Sequence, residues 1–320
     1  LVNQIIEDFK ILKKTNTYIK LIYFISPIAL LILGGFAYKF QSESPYNKSY
    51  NVNNTYKVYA LKIPDTVNFA GEKIPLTSPD LRERMDRELL VNTYWQSNTL
   101  LLIKRANKFF PKIEEILKNE EIPDDFKYLA LIESGLQNVT SPSGAKGFWQ
   151  IMRNTGLEMG LEINSNVDER YNLYLATKTA CKYLKKAKNK FGTWTLAAAS
   201  YNRGISGIQR NLNFQGVDNY FDLRLGSESS RYIFRILAMK EIIENPIKYG
   251  FIFDETDLYN TIPIRNISVD TPIVNLSKFA KKLNINYKIL KIHNSWLRQN
   301  HLNNRSRKKY NIEIPLDGYY

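Results

Sequence analysis

Apolar residues recur at three- and four-residue spacing through most of residues 78–244, and this periodicity limits the possible folds more than any other feature. The pattern begins at Ser78-Pro79, where serine suits an N-cap and proline suits the first helical position. A mainly α-helical domain of many short helices is therefore predicted. The predicted helices cover residues 78–90, 100–109, 112–119, 124–132, 152–159, 173–190, 194–201 and 230–244.

A single carboxylate, Glu133, stands at the end of the apolar helix predicted for residues 124–132, and Ser134 and Gly135 follow it at once. Desolvation in such a place disfavours a charged carboxyl group, so we expect a raised pKa and a protonated Glu133 near neutral pH. A general acid needs this property. Glutamates at helix ends are common, so the placement alone leaves a purely structural role open.

The segment after Glu133 is rich in glycine and serine at residues 141–147 (SPSGAKG), which predicts a loop whose backbone can approach a ligand closely. The loop leads into Phe148, Trp149 and Gln150. An aromatic pair beside a polar amide is typical of a sugar-binding site, so this segment is a candidate glycan contact.

Two later segments bear on the same site. The predicted helix at residues 194–201 is rich in alanine, and close packing of its small side chains is expected to bring Tyr201 and Asn202 beside Glu133. The charges of residues 167–171 (VDERY) are expected to form a structural pair network and to cap the next helix, with a catalytic role as the weaker alternative.

An apolar run at residues 21–38 follows four lysines in the first twenty residues. About 20 apolar residues span a bilayer, so we predict a cytoplasmic segment at residues 1–17 and a transmembrane anchor at 18–38, with the rest of the chain outside. A cleaved signal segment is the alternative. Residues 39–77 are predicted to be a linker and an extended arm.

The formal net charge of +14 indicates attraction to polyanions, and nucleic acid, anionic lipid and the cell wall all fit that description. The predicted anchor disfavours nucleic acid because it places the chain outside the cytoplasm. The single cysteine, Cys181, is predicted to be a small core residue. No cluster has metal-ligand spacing, so we expect no metal and no organic cofactor.

The C-terminal part is predicted to run strand, helix, helix, strand, with strands at residues 259–269 and 310–315 and helices at 276–283 and 288–293. Ten lysines and arginines lie between Asn275 and Tyr310 without any Asp or Glu. These cations indicate either the solvated basic face of a small domain or a binding surface.

Several spaced blocks together resemble the family 1 lytic transglycosylases, lysozyme-like enzymes that cleave peptidoglycan glycan strands, and most closely their membrane-bound type D subgroup. The C-terminal segment resembles a degenerate LysM glycan-binding module, although the usual Gly-Asp-Thr turn is missing. The resemblance to the lytic transglycosylases covers roughly residues 77–251. Its central blocks are Glu133-Ser134, residues 141–147 (SPSGAKG), residues 149–152 (WQIM) and residues 198–204 (AASYNRG).

The resemblance implies a lysozyme-like multi-helix catalytic domain at residues 78–250, a connector at 251–270 and a small α+β LysM-like domain at 271–320. It also implies peptidoglycan as the substrate and a single catalytic glutamate, Glu133, where most glycosidases use two carboxyl groups. Deletion of residues 271–320 is expected to weaken binding to sacculi and to spare turnover of short glycans.

By the same resemblance, Ser134 and Ser141 are expected to hydrogen-bond the acid or the substrate, and Asn202 to brace its helix end. Glu228 either approaches the cleft or forms a salt bridge with Arg231 or Arg235. Two other functions stay open: a goose-type-lysozyme-like muramidase that uses water, and a non-catalytic wall-binding protein. The expected substrate-binding residues are Ser134, Ser141, Gln150, Met152, Tyr201, Asn202 and Glu228.

Overall fold

A computed structural model describes residues 57–319, and the described part is mainly helical with two small antiparallel sheets. The α-helices are α1 Pro79–Tyr94, α2 Gln96–Asn119, α3 Phe126–Ser134, α4 Arg153–Glu158, α5 Leu173–Phe191, α6 Trp194–Arg203, α7 Ile205–Gln215, α8 Ser227–Glu244, α9 Leu276–Lys282 and α10 Tyr287–His293. The strands are β1 Asn68–Phe69, β2 Glu72–Lys73, β3 Ile264–Val269 and β4 Tyr310–Pro315.

The helical prediction is confirmed in outline and corrected in two places. The two helices expected at residues 100–109 and 112–119 are one helix, α2, with Pro111 inside it. Phe110 and Ile113 on either side of Pro111 are both buried, and this packing offsets the backbone hydrogen bond that a proline removes. Helix α7, which begins directly after Gly204, was not predicted.

The N-terminal boundary of the main helical domain also differs from the prediction. The predicted anchor lies outside the described residues, and no helix within residues 57–319 is long and apolar enough to cross a membrane. Residues 60–67 form no strand, as the extended arm predicts, but β1 and β2 make a short hairpin. Phe69, Ile74 and Leu76 are buried in the main core, so that core begins before residue 78.

Helix α3 lies in the centre of the main core, where Phe126, Leu129 and Ala130 have no exposed surface. The small residues Ala197 and Ala198 of α6 are equally buried, as the prediction of close packing requires. Burial of an aliphatic side chain contributes about 1.5–3 kcal/mol, so α3 is held firmly at the position from which it presents Glu133.

The C-terminal module, defined as β3, α9, α10 and β4, confirms the predicted order strand, helix, helix, strand. Its strands pair antiparallel from Ile264 opposite Pro315 to Val269 opposite Tyr310. The module surrounds a second, smaller core. Among the described residues, 60–319 nevertheless belong to one compact unit.

Candidate active site

The end of α3 determines where Glu133 lies. Gly135 terminates the helix in the left-handed conformation at φ 61°, and its backbone N–H donates to the Leu131 carbonyl. Glycine adopts this conformation without the steric cost that a side chain brings. Glu133 therefore occupies the last helical turn, where the negative end of the helix dipole disfavours a charged carboxylate.

The surroundings of Glu133 raise its pKa above the ordinary value. Burial is the main cause, and repulsion from Glu228 acts in the same direction. A hydrogen bond donated by the Tyr232 hydroxyl to Oε1 and the positive charge of Arg235 act in the opposite direction. The predicted raised pKa is thus present, with the predicted cause, and the side chain is half-buried rather than sealed from solvent.

Two tyrosines flank the acid. Tyr232 is buried, and burial together with the charge of Glu133 raises its pKa well above the usual range. Burial and Glu133 also raise the pKa of Tyr201. Both phenols therefore stay protonated and act as hydrogen-bond donors near neutral pH. The Tyr201 hydroxyl donates to the Trp149 carbonyl at 2.7 Å, which ties α6 to the segment beside the acid.

The glycine- and serine-rich loop, residues 141–151, lies beside the end of α3. The Ser134 hydroxyl donates to the Phe148 carbonyl at 2.7 Å. Gln150 adopts φ 46°, a left-handed conformation that costs a non-glycine residue about 1–2 kcal/mol. Its side-chain amide nitrogen donates to the carbonyls of Gly147 and Val139 at 2.9 and 3.2 Å and stabilises this turn.

Three of the predicted substrate-binding residues brace the loop, and a fourth is exposed to solvent. Ser134 is buried, and the Ser141 hydroxyl accepts a hydrogen bond from the Ala145 N–H, so both hydroxyls brace the loop. Gln150 does the same through its amide nitrogen. Met152, in contrast, is 45% exposed and free to contact a ligand.

Asn202 and Glu228 are hydrogen-bonded to each other, and Glu228 lies near enough to Glu133 to affect its pKa. The Asn202 amide nitrogen donates to Glu228 at 3.2 Å, and its oxygen accepts from the Ser229 hydroxyl at 2.7 Å. The expected bracing of the α6 end by Asn202 is thus present. The amide contact also holds the exposed Glu228 carboxylate near the acid.

The alternative of a salt bridge between Glu228 and Arg231 or Arg235 is wrong within the described residues. Arg231 pairs with the buried Glu88 at 2.6 Å, and Arg235 donates to the Ile132 carbonyl at 3.1 Å. Arg231 joins α8 to α1, whereas Arg235 joins α8 to α3 just before the acid. Both arginines are therefore engaged elsewhere, and the Glu228 carboxylate is left for Asn202 and the site.

The interpretation of Phe148 and Trp149 as a sugar-holding pair is wrong. Trp149 has no exposed surface, and its indole N–H donates to the Thr177 hydroxyl at 2.8 Å inside the core. Phe148 is also buried and packs edge-on against Phe109. The backbone carbonyls of this pair, rather than their rings, contact the site residues.

Tyr232 is the site residue that sequence reasoning missed. It lies 99 residues from Glu133 along the chain, on a different helix. Tyr232 follows Glu228 by four residues and shares its face on α8, but the helix predicted for residues 230–244 begins after Glu228, so only part of this signal was present in the sequence. Arg235 follows Tyr232 by three residues and extends the same face toward α3.

Other candidate chemistry is limited. Within residues 57–319, no group of three or more His, Cys, Asp or Glu side chains could hold a metal ion. Cys181 is buried, as predicted, and burial raises its pKa to about 12.

A cavity of about 840 Å³ opens beside residues 136–139, between α2 and the C-terminal module, and Glu133 is not among its lining residues.

Comparison with protein families confirms the resemblance that the motifs predicted. Residues 111–220 match the model of the transglycosylase SLT domain, and residues 265–318 match the soluble lytic transglycosylase C-terminal LysM-like domain. The SLT match contains Glu133 and Tyr201, whereas Glu228 and Tyr232 lie beyond its end.

Similar proteins include the membrane-bound lytic murein transglycosylase D of Escherichia coli strain K12, 27% identical over 236 residues that cover 71% of this chain and 51% of that protein. The protein of the same name from E. coli O6:H1 strain CFT073 gives the same values. The chain thus spans about half the length of these relatives. An X-ray structure of an inactive mutant of lytic transglycosylase Slt from Pseudomonas aeruginosa aligns at 19% identity and a TM-score of 0.34, over 49% of this chain and 26% of that one.

Proposed function

We propose that the chain, which carries an SLT domain match followed by a LysM-like match, is a peptidoglycan lytic transglycosylase. It cleaves the β-1,4 bond between N-acetylmuramic acid and N-acetylglucosamine and leaves 1,6-anhydromuramic ends. The observation that carries the proposal is the Glu133 carboxyl, half-buried at the end of α3 with its pKa raised. The names of the similar proteins, both lytic murein transglycosylases, support it.

In the first step, protonated Glu133 gives its proton to the glycosidic oxygen, and the bond from that oxygen to the muramoyl anomeric carbon breaks. The raised pKa supports this role because it increases the fraction of the carboxyl group that still holds a proton at a given pH. As the carboxylate forms, the Tyr232 hydroxyl donates to it, and Arg235 supplies a nearby positive charge.

In the second step, the Glu133 carboxylate takes the proton of the muramoyl 6-hydroxyl, whose oxygen attacks the anomeric carbon. Glu133 returns to its protonated state, and no water enters the product. The N-acetyl group of the substrate shelters the positive charge between the two steps. No second carboxylate is needed, although Glu228 lies near enough to affect the Glu133 pKa.

The remaining site residues have supporting roles in this proposal. Ser134, Ser141 and Gln150 hold the loop that forms one wall of the site. Met152 presents an exposed apolar side chain to a sugar ring. The residues that line the subsites around the cleaved bond are Met152, Tyr201, Asn202 and Glu228.

The predicted anchor and the membrane-bound relatives support a proposed location. We place the protein in the cell envelope, held in the inner membrane by residues 18–38, with residues 78–250 as the catalytic domain in the periplasm. The partners are then peptidoglycan strands and the membrane, without nucleic acid. The reaction needs no metal and no organic cofactor.

The products released from purified sacculi test the proposed function. Mass spectrometry is expected to find fragments with 1,6-anhydromuramic ends, whose masses sum to that of the strand. Fragments heavier by one water molecule would instead indicate a muramidase. Binding to sacculi without any release would indicate a non-catalytic wall-binding protein.

A further inference from the structure

The C-terminal module joins the catalytic domain through backbone hydrogen bonds. Val167 and Leu297 form an antiparallel bridge, the Asp168 N–H donates to the Trp296 carbonyl at 2.9 Å, and the Arg298 N–H donates to the Asn166 carbonyl at 2.8 Å. A module that hangs from a flexible linker has no such shared backbone pairing. The catalytic-domain side of this junction is the connecting segment, residues 162–171.

Side chains of the connecting segment are built into the module. Val167 and Tyr171 belong to the second core, so the module completes its interior with residues of the catalytic domain. Asn166, only 7% exposed, donates to the His301 carbonyl at 2.9 Å and accepts from the Asn303 N–H at 2.8 Å. A buried amide satisfied on both sides fixes the distance between the two parts.

Ion pairs at the edge of the junction use the basic residues of the module. Lys308 lies between Glu162 and Glu169, at 2.7 Å from an oxygen of each. The Tyr310 hydroxyl donates to the same Glu162 carboxylate at 2.9 Å. Arg298 stacks over the Tyr171 ring, 4.2 Å from its centroid. Part of the basic face predicted from the sequence therefore holds the module to the catalytic domain.

The connecting segment in turn holds the loop of residues 141–151. Arg170, 3% exposed and paired with Asp168 at 2.8 and 2.9 Å, donates to the carbonyls of Gly144 and Ile151 at 3.2 and 3.3 Å. The fit is close at Gly147, where a Cβ atom would come within 2.0 Å of the Arg170 carbonyl oxygen. Any shift of residues 168–170 must move this loop.

The same loop also contacts residues next to the candidate acid, Glu133. Its Phe148 carbonyl accepts from Ser134, the neighbour of Glu133, and its Trp149 carbonyl accepts from Tyr201. A continuous chain of buried contacts thus runs from the module through residues 162–171 to the surroundings of Glu133.

We infer that the C-terminal module is a positioning element for the reaction: through residues 162–171 it holds the loop that sets the geometry around Glu133. Lys308, Asn166 and Arg170 are the positioning residues in this arrangement. The inference rests on the proposed function, and it assigns the module a role in turnover that does not depend on its binding the wall.

The test measures turnover of short soluble glycan oligomers by full-length variants, with kcat and KM determined separately. Lys308→Met removes both ion pairs from a partly exposed side chain, so the variant is expected to fold. Tyr310→Phe is the milder variant, because it removes one hydrogen bond to Glu162 and keeps the ring. Lys308→Arg keeps the charge. Lys186→Met is the matched control, since it removes an exposed pair with Glu158 at 2.8 Å, and neither residue belongs to residues 162–171 or to the C-terminal module.

We expect Lys308→Met to lower kcat roughly tenfold or more, because small displacements of reacting groups are costly, with KM changed less than about twofold. Loosening of the loop should also hydrate Glu133 and move the alkaline limb of the pH–rate profile to lower pH. Tyr310→Phe should show a smaller fall in kcat, and Lys308→Arg should restore most of the rate.

The inference is overturned if Lys308→Met turns over like the Lys186→Met control. It is also overturned if the loss of rate only follows the fraction of unfolded protein, measured by thermal unfolding at the assay pH, with the pH profile unmoved. A wild-type protein that releases no anhydro products would instead overturn the proposed function, so the two failures are distinguishable.

Discussion

The hydroxyl of Tyr232 donates a hydrogen bond to Oε1 of Glu133 and links helix α8 to the end of α3. This contact lowers the pKa of Glu133, while burial raises it. One contact thus stabilises the carboxylate while burial stabilises the protonated acid, and a group that gives up a proton and then takes one back within a turnover needs both.

Replacement of Tyr232 by phenylalanine tests this balance. Tyr232→Phe removes a donor to the carboxylate, and a hydrogen bond to a charged group is worth about 1.5–3 kcal/mol, so kcat should fall about 10- to 100-fold. The Glu133 pKa should rise further, and the alkaline limb of the pH–rate profile should move to higher pH. Tyr128→Phe, which removes a hydroxyl bonded to Glu244 at 3.2 Å, is the control and should leave the profile in place.

Gly147 and Gly144 form a matched pair within one loop. Both have φ near 80–90°, where alanine costs about 1–2 kcal/mol. Only Gly147→Ala also brings a Cβ against the Arg170 carbonyl, so it should destabilise the protein by about 3 kcal/mol or more. Gly144→Ala should cost only the strain of a side chain in the left-handed backbone conformation. Denaturant unfolding measures the difference. Equal losses in the two variants would show that the loop is not held tightly against residue 170.

Variants at Trp149 and Met152 are expected to separate effects on stability from effects on substrate binding. Trp149→Phe should lower the free energy of unfolding by about 1–3 kcal/mol, because it removes buried surface and the bond to Thr177, with KM unchanged. Met152→Ala should raise KM and change the unfolding free energy by less than about 0.5 kcal/mol. A raised KM for Trp149→Phe, with stability retained, would instead indicate that the Trp149 ring contacts the substrate.

The junction of Lys308 with Glu162 predicts a pH dependence of stability. Burial raises the pKa of Glu162, but the hydrogen bonds from Lys308 and Tyr310 outweigh it and the net shift is downward. The stabilisation is therefore present above the ordinary glutamate pKa and is lost as pH falls through the folded-state value. Lys308→Met should lower the unfolding free energy at pH 7, and its difference from the wild type should shrink as the pH falls below the ordinary glutamate pKa. A difference that persisted in acid would point to packing rather than charge.

The sequence was sufficient to predict features that depend on neighbouring residues. The apolar periodicity predicts most helices, and the Glu133-Ser-Gly135 break predicts a carboxyl group in the last turn of α3, with a raised pKa caused by burial. The alternation and turn residues near the C-terminus predict β3 and β4. In each case the sequence signal lies within one helix or one strand.

The features that could not be predicted depend on contacts between distant parts of the chain. Tyr232 reaches Glu133 from another helix, and the burial of Trp149 is decided by how α5 packs over it through Thr177. The expectation that residues 271–320 are separable from turnover ignores Val167 and Tyr171, whose burial in the second core no local pattern reveals.

Glu133→Gln tests the central claim most directly. Glutamine keeps the shape of the side chain and can still accept from Tyr232, but it has no acidic proton for the leaving oxygen and no carboxylate to take one back. General acid–base assistance is worth about 10²–10⁴ in rate, and one group serves both steps here, so release of anhydro fragments from sacculi should fall to background while sacculus binding is retained. Release at a tenth of the wild-type rate or more would contradict the single-glutamate assignment and make Glu228 the next acid to replace.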